Sequence, residues 1–485
     1  MTTEPDLLAA VPTETLIGGE FRPARAGKTL LVEDPATQGR LAEVADAGAE
    51  DAVAALDAAV RAQDSWARTG SRERAELLRR VYDALITQTE DFALLITLEM
   101  GKPLAEARAE VAYAAEFFRW FSEQASHLGG TYRPAPNGDT RLLTHKQPVG
   151  PCLLITPWNF PLAMGARKIG AALAAGCTAV VKPSELTPLS MLLLGKLLGD
   201  VGLPDGVVNI ITGSDAASIV QPLMGDARLR KVSFTGSTPV GRILLKEAAK
   251  NIMRSSMELG GNAALIVFDD ADLEKAVAGT VAAKMRNGGE SCVAANRIYV
   301  HSDVHDEFTA RLSEAMSGYV LGRGTDQGVT LGPLINERQR SKVNALVARA
   351  IGDGAKVAIG GFAPSRAGYF FAPTVLTCVP DRATVRTEEI FGPVAAISAF
   401  TDTDDVVCRA NDTEYGLVGF IFTENLSRAI RVGEALQTGM VGINQGVVSN
   451  PAGPFGGVKG SGLGREGGDE GILEYLDTKY MAVAL

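Results

Sequence analysis

Cys292 stands in the polar, glycine-rich segment "NGGESCVAANR", residues 287–297, where its thiol could act as a nucleophile. A thiol attacks as the thiolate, so it needs a local positive potential or a nearby base. The sequence has four histidines, His127, His145, His301 and His305, and none makes a convincing cysteine–histidine pair. We interpret His301 and His305, the two in "HSDVH", as surface residues that open a helix. A lone cysteine is by default a small buried apolar residue. The segment "GGESC" does not match a core strand, however, so both interpretations stay open.

Two further segments could supply the other groups that a cysteine nucleophile needs. "MELGGN", residues 257–262, places Glu258 before two glycines, where its carboxylate could be a general base or an ordinary turn acid. "TPWNFP", residues 156–161, places Asn159 just after a strand, where its amide could donate to an oxyanion or only occupy a turn. "FTGSTPVG", residues 234–241, is a strand–glycine–helix junction that could bind phosphate, although its spacing alone is weak evidence.

The elements that must position these residues alternate along the chain. Short strands are predicted in residues 13–45, helices from about 49 to 126, and a possible strand pair in 129–147. From Gly150 short apolar strands such as "CLLIT" and "TAVVKP" alternate with helices, and a second alternation begins at "AALIVF", residues 263–268. This rhythm predicts two α/β domains with buried parallel sheets and a cleft between them. Such sheets bind ligands at the carboxyl ends of their strands, where "TPWN", "KPSE" and "TGST" lie.

Composition excludes several classes of protein. The net charge of −10 argues against a general nucleic-acid binder, although a local basic site could still bind an anionic substrate. The N-terminal residues lack the basic start of a signal peptide, and the longest apolar span, 169–181, is too short for a membrane helix. The five cysteines show no CxxC spacing. We therefore expect a cytoplasmic protein with free thiols, no metal, no membrane partner and no nucleic-acid partner.

Taken in order, these motifs resemble those of the aldehyde dehydrogenase superfamily. The resemblance covers almost the whole chain, from "PWNFP" through "KPSE", "FTGS", "ELGGN" and the Cys292 segment to "EEIFGP", residues 388–393, and "PFGG", residues 454–457. It implies two Rossmann-like α/β domains with a β oligomerisation arm, and a homo-oligomer, either a dimer or a tetramer. The implied division is an NAD(P)-binding domain at 1–127 and 149–258, a catalytic domain at 259–458, and an oligomerisation arm and C-terminal segment at 128–148 and 459–485.

The resemblance also implies a role for each matching residue. Cys292 would be the nucleophile, Glu258 the general base, and Asn159 an oxyanion donor beside the backbone N–H of Cys292. The implied cofactor is NAD or NADP, and Glu185 favours NAD because a carboxylate holds a ribose 2′-hydroxyl and repels a 2′-phosphate. The implied cofactor-binding residues are Thr156, Pro157, Trp158, Lys182, Ser184, Glu185, Gly236, Ser237, Gly241, Leu259, Glu389 and Phe391.

Within the superfamily the chain is most similar to the succinate-semialdehyde dehydrogenase branch. That similarity implies a small aldehyde substrate that carries a carboxylate, held by Arg167, Arg286 and Ser449. The alternatives are a broad-range enzyme or one that oxidises glutarate or 2-oxoglutarate semialdehyde. Because both Cys292 and Glu258 are present, a coenzyme A-acylating enzyme and a purely structural protein are less well supported.

Two positions depart from the pattern of that branch. Glu290 stands where glutamine is common, and its charge would raise the pKa of Cys292 if it pointed inward. Ala294 stands where many relatives of this branch have a second cysteine that can form a disulfide with the nucleophile.

Because Ala294 replaces that second thiol, we predict that mild peroxide inactivates the protein through sulfenic acid and further oxidation of Cys292 rather than through a disulfide. Mass spectrometry of the oxidised protein after digestion checks this, with untreated protein as the control. An intramolecular disulfide that includes Cys292 would contradict the prediction.

Overall fold

The computed structural model describes residues 3–484. Its first third is built around a layer of helices. In these helices apolar residues recur every three to four positions and form the buried face. Gly101, at φ +94°, ends one of these helices in the left-handed conformation, which glycine adopts without strain. The elements are α1 (Glu4–Ala10), β1 (Thr15–Ile17), β2 (Glu20–Arg22), β3 (Thr29–Asp34), β4 (Gly39–Ala45), α2 (Ala49–Arg68), α3 (Ser71–Thr87), α4 (Thr89–Met100), α5 (Leu104–Ala125), β5 (Thr131–Pro134) and β6 (Thr140–Pro148).

Strands and helices then alternate as the sequence predicts. The strands are short and almost wholly buried, as expected for parallel strands covered on both faces. The elements are β7 (Cys152–Ile155), α6 (Ala163–Ala175), β8 (Ala179–Lys182), α7 (Leu189–Asp200), β9 (Val208–Ile210), α8 (Ala216–Gly225), β10 (Lys231–Thr235), α9 (Thr238–Lys250) and β11 (Arg254–Glu258).

A second alternation follows and ends in a long C-terminal strand. A short 3₁₀ turn, Arg286–Gly289, leads into the segment that carries Cys292. The elements are β12 (Ala263–Val267), α10 (Leu273–Met285), β13 (Ala295–His301), α11 (His305–Ser317), α12 (Glu337–Gly352), β14 (Lys356–Ile359), β15 (Thr374–Thr377), α13 (Thr384–Thr387), β16 (Val394–Phe400), α14 (Thr403–Asn411), β17 (Val418–Phe422), α15 (Leu426–Ala435), β18 (Met440–Ile443), β19 (Gly462–Leu463), α16 (Gly468–Leu473) and β20 (Leu476–Ala484).

These strands form two large sheets and two small ones. The first large sheet has the order β19-β11-β10-β7-β8-β9-β1-β2, and its five central strands are parallel. The second has the order β14-β15-β16-β13-β12-β17-β18 and is parallel except for β14. The predicted fold class, two Rossmann-like α/β units, is therefore confirmed.

The two small sheets are antiparallel. Strands β3 and β4 form one, and β20, β6 and β5 form the other, in which Leu476 pairs with Pro148 and Ala484 with Thr140. Strand β19, from the predicted C-terminal segment, instead adds an edge to the first large sheet. The domain boundaries given above stay a prediction.

The histidines of "HSDVH" differ from expectation in two respects. His305 begins α11, but His301 ends β13 and packs edge-on against the Phe400 ring at 5.3 Å. Their side chains are only 16% and 14% exposed, so both are largely covered rather than on the open surface.

Candidate active site

The carboxyl ends of the first large sheet and the loops of the second enclose a cavity of about 200 Å³. Twelve of the eighteen predicted site residues line it: Pro157, Trp158, Asn159, Arg167, Gly236, Ser237, Leu259, Arg286, Cys292, Glu389, Phe391 and Ser449. The remaining six do not line it: Thr156, Lys182, Ser184, Glu185, Gly241 and Glu258. The cavity thus joins most of the predicted residues, although they are spread over nearly three hundred positions of the sequence.

Left-handed backbone turns present Cys292 at the wall of this cavity. Asn287, Gly288 and Gly289 have φ values of +56°, +60° and +76° in succession after α10. A Cβ on Gly289 would lie 2.2 Å from the carbonyl oxygen of Gly392, so only glycine fits there. A Cβ on Gly261 would lie 2.2 Å from the carbonyl oxygen of Cys292. The glycines near both predicted catalytic residues therefore permit close backbone approach.

The surroundings of Cys292 keep its thiol protonated at neutral pH. Burial raises its pKa to about 12, Arg167 opposes this rise, and the carboxyl groups of Glu389 and Glu258 add to it. Glu290 does not line the cavity; its buried carboxyl group accepts a hydrogen bond from the Ile335 N–H at 3.2 Å. A base is therefore needed before Cys292 can attack.

Asn159 follows β7 and faces the same cavity, and it is only 4% exposed. Its Nδ2 donates one hydrogen bond, to the Glu290 carbonyl oxygen at 3.0 Å. An amide nitrogen carries two hydrogens, so the second stays available for an oxyanion.

Glu258 ends β11, is buried and does not line the cavity. Both carboxylate oxygens are buried and have no hydrogen-bond partner among residues 3–484. Burial, followed by the charge of Glu466, raises the pKa of Glu258 well above its usual range, while Arg167, Lys168 and Arg465 lower it. A Cβ on Gly456 would lie 2.8 Å from Oε1 of Glu258, so this glycine leaves room for the carboxylate.

A buried ionic cluster next to Glu258 was not found from the sequence. Glu466 forms ion pairs with Arg167 and Lys168, and Lys168 Nζ donates to Ser233 Oγ at 2.9 Å. Burial acts to raise the pKa of Glu466, but the two cations hold it below the usual value. Glu466 lies about three hundred positions after its partners, and no local motif signals such a pairing.

The three predicted substrate residues lie on the cavity wall. Arg286 Nη1 donates to Ser449 Oγ at 3.3 Å, and its guanidinium carbon lies 5.1 Å from the Phe160 ring centre. The guanidinium carbon of Arg167 lies 4.6 Å from the Phe455 ring centre. Within residues 3–484, the Nη1 and Nη2 atoms of Arg167 are buried and have no hydrogen-bond partner. These two cations on aromatic faces can bind an anionic group.

One part of the cavity suits the nicotinamide half of a dinucleotide. Trp158 and Phe391 meet edge-to-face with ring centres 5.4 Å apart. Burial raises the pKa of Glu389 to about 7, and Glu389 Oε1 accepts from the Gly261 N–H at 3.1 Å. Gln339 was not predicted, yet its Nε2 donates to the Phe391 carbonyl oxygen at 2.6 Å and it lines the cavity with Lys342.

The remaining predicted cofactor residues lie along the carboxyl ends of β7, β8 and β10. The Thr156 N–H donates to the Lys182 carbonyl oxygen at 3.1 Å, and Ser184 Oγ accepts from the Leu186 N–H at 3.2 Å. Ser237 precedes α9 without capping it through its side chain.

A Cβ on Gly241 would lie 2.5 Å from Cδ2 of Leu259, so this glycine allows α9 to pack closely against Leu259. An uncapped helix start with close backbone approach fits a pyrophosphate, and these residues therefore fit a dinucleotide.

Within residues 3–484, no three or more histidine, cysteine, aspartate or glutamate side chains are grouped so that they could hold a metal ion. In the same range, no helix has the length and apolar character required to span a bilayer.

Comparison with known proteins places this geometry in a family. The model of the aldehyde dehydrogenase family matches residues 21–481. A succinate-semialdehyde dehydrogenase of Paenarthrobacter nicotinovorans is 55% identical over 92% of this chain and 99% of its own length. A glutarate-semialdehyde dehydrogenase of Pseudomonas putida is 46% identical over 97% of this chain and 98% of its own length.

The fold also matches that of a solved structure. An Escherichia coli protein described as an NADP-dependent enzyme superposes with a TM-score of 0.98 and 48% identity, over 100% of both chains. Sequence, fold and the arrangement of the cavity residues agree, and the chain therefore belongs to the aldehyde dehydrogenase family.

Proposed function

We propose that this protein oxidises a carboxylate-bearing aldehyde to the acid with NAD(P), and that succinate semialdehyde is its substrate. The observation that carries the proposal is the pair of guanidinium groups, Arg167 and Arg286, on the wall of the cavity that also contains Cys292. A negatively charged protein does not attract an anionic aldehyde through its overall field, so a local basic site must do so. The name of the Paenarthrobacter relative supports the same substrate.

The proposed chemistry begins at the Cys292 sulfur. The thiol loses its proton to water, the thiolate adds to the aldehyde carbon, and the oxyanion that forms accepts hydrogen bonds from Asn159 Nδ2 and the Cys292 N–H. Bound NAD(P)⁺, which Trp158, Glu389 and Phe391 would hold, would supply the hydride acceptor, and loss of a hydride from the tetrahedral carbon leaves a thioester on Cys292. Glu258 removes a proton from water, whose oxygen adds to the thioester carbon; the carbon–sulfur bond then breaks and the acid leaves. Removal of Cys292 would therefore abolish every step.

The position of Glu258 affects the pH dependence of the second half of the reaction. Its raised pKa means that a smaller fraction is ionised at neutral pH than for an exposed glutamate. Only the ionised form accepts a proton from water, so hydrolysis of the thioester is expected to accelerate as pH rises.

We predict that Glu258→Gln retains a burst of NAD(P)H of about one equivalent per Cys292 and then turns over roughly a hundredfold to ten-thousandfold more slowly. Its steady-state rate loses the rising limb of the pH profile, because glutamine does not titrate. Stopped-flow absorbance at 340 nm measures both phases.

Two controls accompany this variant. Glu424→Gln changes an exposed glutamate and should behave as the wild type, whereas Cys292→Ala should show no burst. Steady turnover at the wild-type rate by Glu258→Gln would refute its assignment as the base.

The substrate carboxylate would be held far from the reacting carbon. Charged hydrogen bonds contribute about 1.5–3 kcal/mol each, and that binding energy orients the aldehyde at the Cys292 sulfur. Arg286 would act with Ser449, and Arg167 would offer its two unpartnered amino nitrogens.

We predict that Arg286→Ala lowers kcat/KM for succinic semialdehyde about tenfold to a hundredfold, with much less effect on butanal. Arg167→Ala should also lower kcat/KM for succinic semialdehyde relative to that for butanal. Arg286→Ala is the cleaner test, because Arg167 also forms an ion pair with the buried Glu466. Arg431→Ala, on an exposed position of α15, is the matched control.

The substrate panel should also include glutaric and 2-oxoglutaric semialdehydes. If the wild type shows no preference for charged aldehydes, or if the variants lose activity equally on butanal, the protein is a broad-range aldehyde dehydrogenase instead.

We further propose that NAD is the preferred cofactor. Burial lowers the pKa of Lys182, while the nearby carboxylates of Glu185 and Asp46 raise it, so two negative charges accompany this lysine. A 2′-phosphate would be repelled by both carboxylates, whereas a 2′-hydroxyl can donate to one. The similar Escherichia coli structure is described as NADP-dependent, so this preference is a point on which the two proteins would differ.

We predict a higher kcat/KM with NAD than with NADP. In Glu185→Ser, the ratio of kcat/KM for NAD to kcat/KM for NADP should fall about tenfold. The matched control is Glu20→Ser, at an exposed residue of β2 in the first large sheet, and its ratio should equal that of the wild type. A wild-type preference for NADP would overturn the proposal.

We propose that the protein is a homo-oligomer joined through the small sheet β5–β6–β20. Its strands present apolar side chains to solvent, among them Tyr132 at 68% and Tyr480 at 58% exposure. Among residues 3–484, strand β20 is an edge of this sheet with no further strand paired to it, which favours association with another chain.

The cysteines in the described range are free, and this supports the expected cytoplasmic location.

A further inference from the structure

We propose that Asn287, acting together with Lys102, is a positioning residue that fixes the oxyanion donor Asn159 relative to the Cys292 segment. The proposal rests on the proposed role of Asn159. We call Asn287, Lys102 and Glu110 the Asn159 bracket. All three are nearly inaccessible, at 2%, 3% and 1% exposure.

Asn287 connects the two halves of the cavity directly. Its Nδ2 donates to the carbonyl oxygen of Asn159 at 2.9 Å and to that of Glu290 at 2.9 Å. Asn159 Nδ2 donates to the same Glu290 carbonyl at 3.0 Å. One amide therefore fixes the main chain of the oxyanion donor and the main chain two residues before the nucleophile.

Lys102 is a second donor to the Asn159 backbone. Its Nζ donates to the carbonyl oxygen of Asn159 at 2.9 Å and to Glu110 Oε2 at 2.6 Å. Its ammonium also lies 4.1 Å from the centre of the Phe160 ring, next to Asn159. The Asn159 carbonyl therefore accepts from two buried side chains, and these two hydrogen bonds restrict rotation of the peptide plane.

Glu110 extends the bracket to the helix that carries Arg167. Its Oε1 accepts from the N–H groups of Leu162 and Ala163 at 3.0 and 3.2 Å, at the start of α6. The backbone from Asn159 to α6 is thus held at several successive points. None of these contacts involves the side-chain hydrogen of Asn159 that would face an oxyanion.

The residue type at position 287 is restricted in two independent ways. Its φ of +56° is left-handed, which asparagine tolerates better than most residues. Its two carbonyl partners require a side chain with two N–H donors at one nitrogen. The Asn287 N–H also donates to Glu106 Oε2 at 2.8 Å, which ties the turn to α5. Asparagine meets the backbone and side-chain requirements together.

The bracket should affect oxyanion stabilisation and leave the thiol itself unchanged. Addition of Cys292 to an aldehyde creates an oxyanion, whereas alkylation of the same sulfur by iodoacetamide does not. Displacement of a donor by about 1 Å can cost about a hundredfold in rate. The two reactions therefore separate a displaced Asn159 from a displaced Cys292.

The principal experiment uses Asn287→Asp, which keeps the size of the side chain and tolerance of left-handed backbone but replaces the NH₂ donor with oxygen. We expect the NAD(P)H burst rate to fall about tenfold to a hundredfold, with the rate of iodoacetamide alkylation of Cys292 within about twofold of wild type. At lower pH the difference in burst rate between Asn287→Asp and the wild type should become smaller, because a protonated aspartate regains one donor.

Lys102→Met provides a second test, with Lys102→Arg as the conservative variant that should recover part of the burst rate. Asn344→Asp, on an exposed position of α12, is the matched control for the principal substitution. Equal losses in burst and alkylation would overturn the proposal, because they would show that the whole loop had moved. An unchanged burst in folded Asn287→Asp would overturn it as well.

Asn159→Ala separates this proposal from the one it rests on. If Asn159→Ala leaves the burst unchanged, the role of Asn159 as oxyanion donor is wrong. If it slows the burst and Asn287→Asp does not, Asn159 acts without the bracket.

Discussion

Mutual compensation of buried charges is the constraint on which the site depends. Glu466 forms ion pairs with two cationic side chains, Arg167 and Lys168, and all three side chains are at most 5% exposed. A single buried ion is costly, and the removal of one partner leaves the others uncompensated. The same cluster lowers the pKa of Glu258 through its cations and raises it through Glu466. The ionisation of the proposed base and the positive charge near Cys292 are therefore set together.

The sequence predicts the fold class and the turns at the strand ends for an identifiable physical reason, whereas the roles of most cavity residues were implied by the family resemblance. Short apolar strands that alternate with helices require parallel sheets, and the turns after such strands meet at one edge. Asn159 was singled out from a local strand end and Ser237 lies in a strand–glycine–helix junction, and both line the cavity.

Contacts between distant segments could not be predicted in this way. Glu466 and Gln339 carry no local signature, and their partners lie tens to hundreds of positions away. The orientation of Glu290 was also left open by the sequence, because it depends on a hydrogen bond to Ile335. The lysine of "MGKP" showed no signal either, although Lys102 contacts the Asn159 backbone.

The path of the chain after β18 has a consequence for how the protein is made. Ser461 accepts from the Leu259 N–H at 2.8 Å, and β19 then joins the first large sheet beside β11. Glu466 follows at once and reaches Arg167 and Lys168. During synthesis the residues of both large sheets, apart from β19, leave the ribosome before this carboxylate exists. The buried pairing of α6 with Glu466 therefore cannot form until translation has passed residue 466.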